Sequence, residues 1–95
     1  MSSDMLHELE AIIQARKAEM PAGSYTTSLF EKGAPKIAQK VGEEATEVVV
    51  AALAQGRDEQ LGELADLFYH VLVLMTELGL TLADVETVLR ERHGK

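Results

Sequence analysis

The chain has 95 residues, 46% hydrophobic but only 4% aromatic, with a formal net charge of -7 and no cysteine. That length allows one small domain, spanning 1–95, whose core is marginal when folded alone, and neither disulfides nor a thiolate metal site can supplement it. The acidity excludes nucleic acid and anionic membranes as partners, because their phosphates would be repelled rather than neutralised.

The opening MSSDMLHELE lacks a basic region followed by an apolar core, so no secretory signal is read. No apolar run approaches the roughly 20 residues that cross a bilayer, and the expected location is cytoplasmic. Period and punctuation predict four helices. The first runs from about Asp4 to Met20, with Ser3 as N-cap and Leu6, Leu9, Ile13 and Met20 along one side; Pro21 ends it. PAGSYTTS then reads as a loop from its Pro, Gly, Ser and Thr content. Pro35 sits where a first-turn proline belongs. It opens a second helix to about Gln55, with Gly56 as its stop and Ile37, Val41, Ala45, Val48 and Ala52 as its apolar stripe.

Asp58 is placed as the cap of a third helix, running to about Leu78 and stopping at Gly79. Its Leu61, Leu64, Phe68, Val71, Leu72 and Met75 line one face, and Leu67, Leu74 and Leu78 widen it. A helix that apolar is covered on more than one side. Thr81 followed by Asp84 resembles a capping box, opening a last helix through about Arg92. No segment shows strand alternation. The expected fold is all-α, a helical hairpin flanked by two shorter helices. Its thin core points to a homo-oligomer, a dimer or higher, that completes a multi-helix bundle. Met5, Met20 and Met75 read as core filler, and His7 and His93 as surface residues.

The acids are what the composition leaves unexplained. Glu43, Glu44 and Glu47 crowd the second helix, although like charges three and four residues apart repel by a few tenths of a kcal/mol per pair. Glu43 and Glu47 lie beside each other on the helical wheel, and Glu44 lies at the edge of the apolar stripe. On the third helix Glu63 and Asp66 share a face. The pattern E-E-x-x-E, about fifteen residues, then E-x-x-D is divided almost evenly by the turn at 56–58, so the two clusters come level across the hairpin. Carboxylates converging from two helices make an oxygen-only site for a hard cation such as Mg²⁺. A bound dication reverses the sign of an acidic site and lets it attract a polyphosphate. Solvated surface acids are the bland alternative for any one Glu. A di-iron centre is excluded, because no Glu is followed three residues later by His.

SYTTSLFEKGAPKIAQKVGEEATEVVVAA, then ELADLFYHVLVLM and the closing LRERH, resemble phosphoribosyl-ATP pyrophosphohydrolase of histidine biosynthesis over nearly the whole chain. The acidic pattern alone is shared with the wider MazG-like nucleotide pyrophosphohydrolases; SYT with LF, KVGEEA and the ADL and YH elements narrow it. The resemblance implies compact α-helical oligomers built on a dimer. It also implies Mg²⁺-dependent hydrolysis of phosphoribosyl-ATP to phosphoribosyl-AMP and pyrophosphate, with Mn²⁺ as a substitute ion. With no cysteine for a zinc-dependent cyclohydrolase domain, the stand-alone form is expected.

On this reading Glu44, Glu47, Glu63 and Asp66 are the metal ligands, and Glu43 is either a further ligand or the base that orients the attacking water. Lys36 and Lys40 stand one and two turns before the acids and could meet substrate phosphates, joined by Lys32; ordinary pairing with the glutamates is the alternative. The resemblance places Ser24, Tyr25 and Thr26 in a loop that closes over the ribose phosphate, where turn chemistry and packing of the ring are the plainer roles. His70 lies near Glu63 and Asp66 on the wheel and either orients a carboxylate or is hydrogen-bonded inside the helix interface. Two other functions fit the same residues: a house-cleaning nucleoside-triphosphate pyrophosphatase of the MazG-like group, and a non-catalytic helical dimerisation module whose acids only keep it soluble.

Overall fold

The computed structural model describes residues 4–94. Among them run five helices and no strand: α1 Met5–Glu19, α2 Tyr25–Lys32, α3 Ala34–Ala54, α4 Arg57–Glu77 and α5 Leu82–His93. The all-α expectation holds, with one helix more than the periodicity predicted.

The extra element is α2, inside the stretch read as a loop. Ser24 caps it, its hydroxyl oxygen accepting from the Thr27 N–H at 3.2 Å, and Gly33 ends it at φ 87°. Tyr-Thr-Thr-Ser is a poor helix former by intrinsic preference. Burial decides the matter instead: Thr26, Thr27, Leu29 and Phe30 all face inward, and tertiary packing supplies most helical stability in proteins. The true loop is only Pro21 to Ser24.

The other boundaries follow local chemistry. The expected cap Ser3 lies outside the described residues; Asp4 holds α1, accepting from the Leu6 and His7 N–H groups. Gly56, not Asp58, is the N-cap of α4, and Asp58 sits in the first turn beside Glu59, where a negative charge complements the helix dipole. The end of α4 is a Schellman motif: Leu80 N–H donates to Met75 C=O at 2.8 Å and Gly79 N–H to Thr76 C=O at 3.1 Å. Gly79 takes φ 76° there. Thr81 and Asp84 form the expected capping box of α5.

The core gathers Ile13 of α1, Leu29 and Phe30 of α2, Ile37 of α3 and Leu72, Val73 and Met75 of α4. On α3 the buried residue of the last turns is Ala51 rather than the expected Ala52. Fourteen residues are close to four whole turns at 3.6 per turn and fifteen overshoot. Met75 is buried, but Met5 and Met20 are exposed, which corrects their reading as core filler. Met20 is the left-handed C-cap of α1 and Met5 opens its first turn, so both lie at helix ends.

α5 buries none of its own residues and is tied down by polar links to α1. The Glu10 carboxylate, itself buried, accepts from the Leu82 N–H at 2.7 Å, and His7 pairs with Glu86 at 3.0 Å. The buried residues of α4, His70, Leu72, Val73 and Met75, all lie in its C-terminal half. Leu61, Leu64 and Phe68 remain exposed, as do Val49, Val50 and Leu53 on α3. An open, almost wholly apolar groove runs between α1, α4 and α5, lined by Leu6, Leu67, Phe68, Val71, Val85 and Leu89. Among the described residues no helix is long and apolar enough to cross a membrane.

Candidate active site

The turn at Gln55 and Gly56 folds α4 back along α3 and brings the two acidic clusters together. Glu44, Glu63 and Asp66 each offer a carboxylate oxygen, and the three atoms lie within 4.8 Å of one another. Glu44 and Glu63 are half-buried and Asp66 is exposed. Glu47 falls outside this trio, but its charge acts on Glu63. Partial burial, then the charges of Glu47, Asp66 and Glu44, hold the Glu63 carboxyl above its ordinary value. Several anions share a space with little compensating positive charge.

Lys40 compensates in part. Its ammonium lies 3.2 Å from Glu43 and 3.6 Å from Glu44, and the Glu43 contact raises the lysine's own pKa. The pairing read as the plainer role of Lys40 is therefore present. Glu43 does not join the trio: it accepts from Gln39 Nε2 at 2.8 Å and from Lys40, and these two contacts, Gln39 first, hold it below the usual carboxylate range. Lys36 adds a weaker charge effect on Glu43. Lys32 closes α2, exposed to solvent.

The donor set of the trio is all oxygen and anionic, which suits a hard divalent cation and disfavours soft metals. A raised folded-state pKa means that ionised Glu63 opposes folding at neutral pH, and that this penalty vanishes as pH falls through that pKa. In chelator, acidification from neutral pH should therefore stabilise the wild type relative to Glu63→Gln, and adding Mg²⁺ at neutral pH should do the same. Melting temperatures across a pH series measure both. A difference that is flat with pH refutes the shared-charge account.

A second group lies one turn farther along α4. His70 Nδ1 sits 2.7 Å from the Asp66 carbonyl oxygen and can only donate to it, so in the neutral ring Nε2 accepts from the Tyr25 hydroxyl at 3.0 Å. The histidine thus binds the main chain of Asp66 and not a carboxylate, as hydrogen bonding within the interface would have it. Tyr69 shares a hydrogen bond with Thr26, and burial raises the Tyr69 phenol pKa. The rings of Tyr25 and Tyr69 stack at 6.2 Å, and His70 meets both edge-on. Ser24 is spent on its cap. The Tyr69 contact was not read from sequence; its signal is the i, i+3 step from Asp66, visible only once α2 is recognised as a partner helix.

Fold and site together define an all-α protein whose helical hairpin carries three convergent carboxylates beside a short capped helix. The family profile of phosphoribosyl-ATP pyrophosphohydrolase matches residues 6–93, and the chain belongs to that family. It is 53% identical over 90 residues to the phosphoribosyl-ATP pyrophosphatase of Metallosphaera sedula, covering 95% of this chain and 97% of that one. It is 59% identical over 85 residues to the histidine biosynthesis bifunctional protein HisIE of Halalkalibacterium halodurans, and 52% over 91 residues to that of Bacillus subtilis. These matches cover 90% and 96% of this chain but 40% and 44% of the bifunctional proteins. The chain thus spans less than half the length of those relatives.

Proposed function

We propose that this chain hydrolyses phosphoribosyl-ATP between its α and β phosphates, giving phosphoribosyl-AMP and pyrophosphate in histidine biosynthesis, with Mg²⁺ as cofactor. The observation that carries the chemistry is the convergence of Glu44, Glu63 and Asp66 within 4.8 Å. Family membership and the near full-length likeness to the Metallosphaera sedula pyrophosphatase carry the choice of substrate.

Glu44, Glu63 and Asp66, with Glu47 beside them, would hold the cation. When bound, Mg²⁺ supplies neutralisation of the polyphosphate and activation of water. The remaining work is positioning and electrostatics, as is general for phosphoryl chemistry. Lys36 and Lys40 meet the phosphates from the first half of α3. Glu43, kept ionised by Gln39 and Lys40, is a weak proton acceptor and orients the attacking water through its oxygens instead. Ser24, Tyr25 and Thr26 open α2, whose N-terminal dipole favours an anionic group such as the ribose phosphate.

Pyrophosphate release from phosphoribosyl-ATP, run beside dUTP and ordinary nucleoside triphosphates with and without Mg²⁺, tests this reading. Brisk Mg²⁺-dependent cleavage of phosphoribosyl-ATP alone is expected. Cleavage of the others without it would refute the substrate assignment.

The working form is a homo-oligomer built on a dimer. The support is the exposed apolar side chains Leu61, Leu64 and Phe68 on a helix that small soluble chains would normally cover. Phe68→Glu should shift the sedimentation coefficient toward that of a monomer. A wild type that sediments as a monomer at all concentrations sinks the proposal.

A further inference from the structure

The acids and the start of α2 belong to different helices, yet one rigid element fixes both. Along α4, Glu63 and Asp66 are followed at helical spacing by Tyr69 and His70, so acids and anchors share one side of the helix. His70 is buried and its Nδ1–H donates to the Asp66 carbonyl, which fixes the tautomer and leaves Nε2 to accept from Tyr25. The neighbouring Tyr69 is hydrogen-bonded to Thr26. Tyr25 itself is 51% exposed, so its hydroxyl would otherwise turn freely to solvent. Among the described residues, the only hydrogen-bond partner of that hydroxyl is His70 Nε2.

We infer that His70 is a positioning residue for the reaction: it locks the first turn of α2, through Tyr25, to the level of α4 that carries Asp66. His70 touches no reacting atom. It sets the distance between the substrate-binding turn and the carboxylates, and it leaves the Tyr25 ring, rather than its hydroxyl proton, to face the substrate. The inference rests on the hydrolase reading above and deepens it, adding a residue whose role runs through another.

Two near-isosteric variants test it. Tyr25→Phe keeps the ring and removes the hydroxyl. His70→Phe keeps a buried ring and removes both ring hydrogen bonds; the Asp66 carbonyl keeps its intrahelical partner, the His70 main-chain N–H, so folding is spared an orphaned polar group. Each should raise KM for phosphoribosyl-ATP by roughly three- to tenfold, the scale of one hydrogen bond, and leave kcat within about twofold. The double variant should be no worse than either single one, because both remove the same link. In His70→Phe, amide hydrogen exchange should rise selectively over 22–28, with Mn²⁺ affinity unchanged.

Unchanged KM in both variants, effects that multiply in the double, or unchanged exchange over 22–28 would each overturn the inference. So would a parallel loss of kcat, Mn²⁺ affinity and melting temperature, which marks scaffolding alone. An inactive wild type counts against the hydrolase reading instead, and the exchange experiment still decides the role of His70.

Discussion

Replacing Asp66 with Asn should lower kcat/KM for phosphoribosyl-ATP by at least about a hundredfold, because the proposed cation site loses one of three converging charges. Asn preserves the shape of the side chain and a hydrogen-bonding oxygen, so the lost quantity is charge. Asp66 is exposed on the middle of α4, and no buried partner is abandoned. The fold should therefore survive, and the melting temperature should hold or rise, since Asp66 is among the charges that push the Glu63 carboxyl upward. Activity that collapses while stability does not identifies a functional charge rather than a structural one. Titrating Mg²⁺ at saturating substrate should show a weaker apparent affinity for the ion. Wild-type turnover at limiting Mg²⁺ would remove Asp66 from the site.

Ile37→Ala should have the largest effect on stability. Ile37 is fully buried, 0% exposed, and packs in the cluster of Leu29, Phe30 and Val73. Truncating an aliphatic residue in such a place costs about 2–5 kcal/mol, transfer and cavity together. Small domains hold only about 5–15 kcal/mol in total, so one substitution removes a large fraction. A marked fall in the urea midpoint is expected, with the slope unchanged. Because Leu29 and Phe30 belong to α2, the same variant should loosen the turn that carries Ser24 to Thr26, and KM should rise before unfolding sets in. A loss below about 1 kcal/mol would mean that the cavity collapses, or that the core is elsewhere.

Much of this was legible in the residues because the governing signals are local. Pro35, Gly79 and the Thr81–Asp84 pair mark boundaries by chemistry that acts within a turn or two, and all four expected helices end within about a residue of the observed bounds. The level meeting of Glu44 with Glu63 and Asp66 followed from the symmetry of their spacing about the turn. α2 escaped because its stability comes from what Thr26, Thr27, Leu29 and Phe30 bury against, a tertiary effect that outweighs the weak preference of Tyr-Thr-Thr. Its one local signal, Ser24 ahead of inward-facing positions at helical spacing, was masked by the Pro-Gly-Ser content around it. Side-chain preference points to Asp58 as the cap, yet capping and first-turn charge act one or two residues apart and are easily exchanged. The separation of Glu43 from the trio depends on Gln39 and Lys40, and side-chain choices of that kind do not follow from a wheel. Nor does the choice His70 makes between a carboxylate and a main-chain carbonyl.

The acidic trio is drawn wholly from one continuous stretch, the α3–α4 hairpin. Glu44 and Asp66 are only about twenty residues apart along the chain, so the entropy of closing that loop is small. The acidic cluster is therefore a portable cassette: every carboxylate in it comes from the one hairpin, and none from α1, α2 or α5. Grafting another catalytic unit onto such a domain need not disturb it, which accounts physically for relatives in which the matching region makes up 40% or 44% of a bifunctional polypeptide.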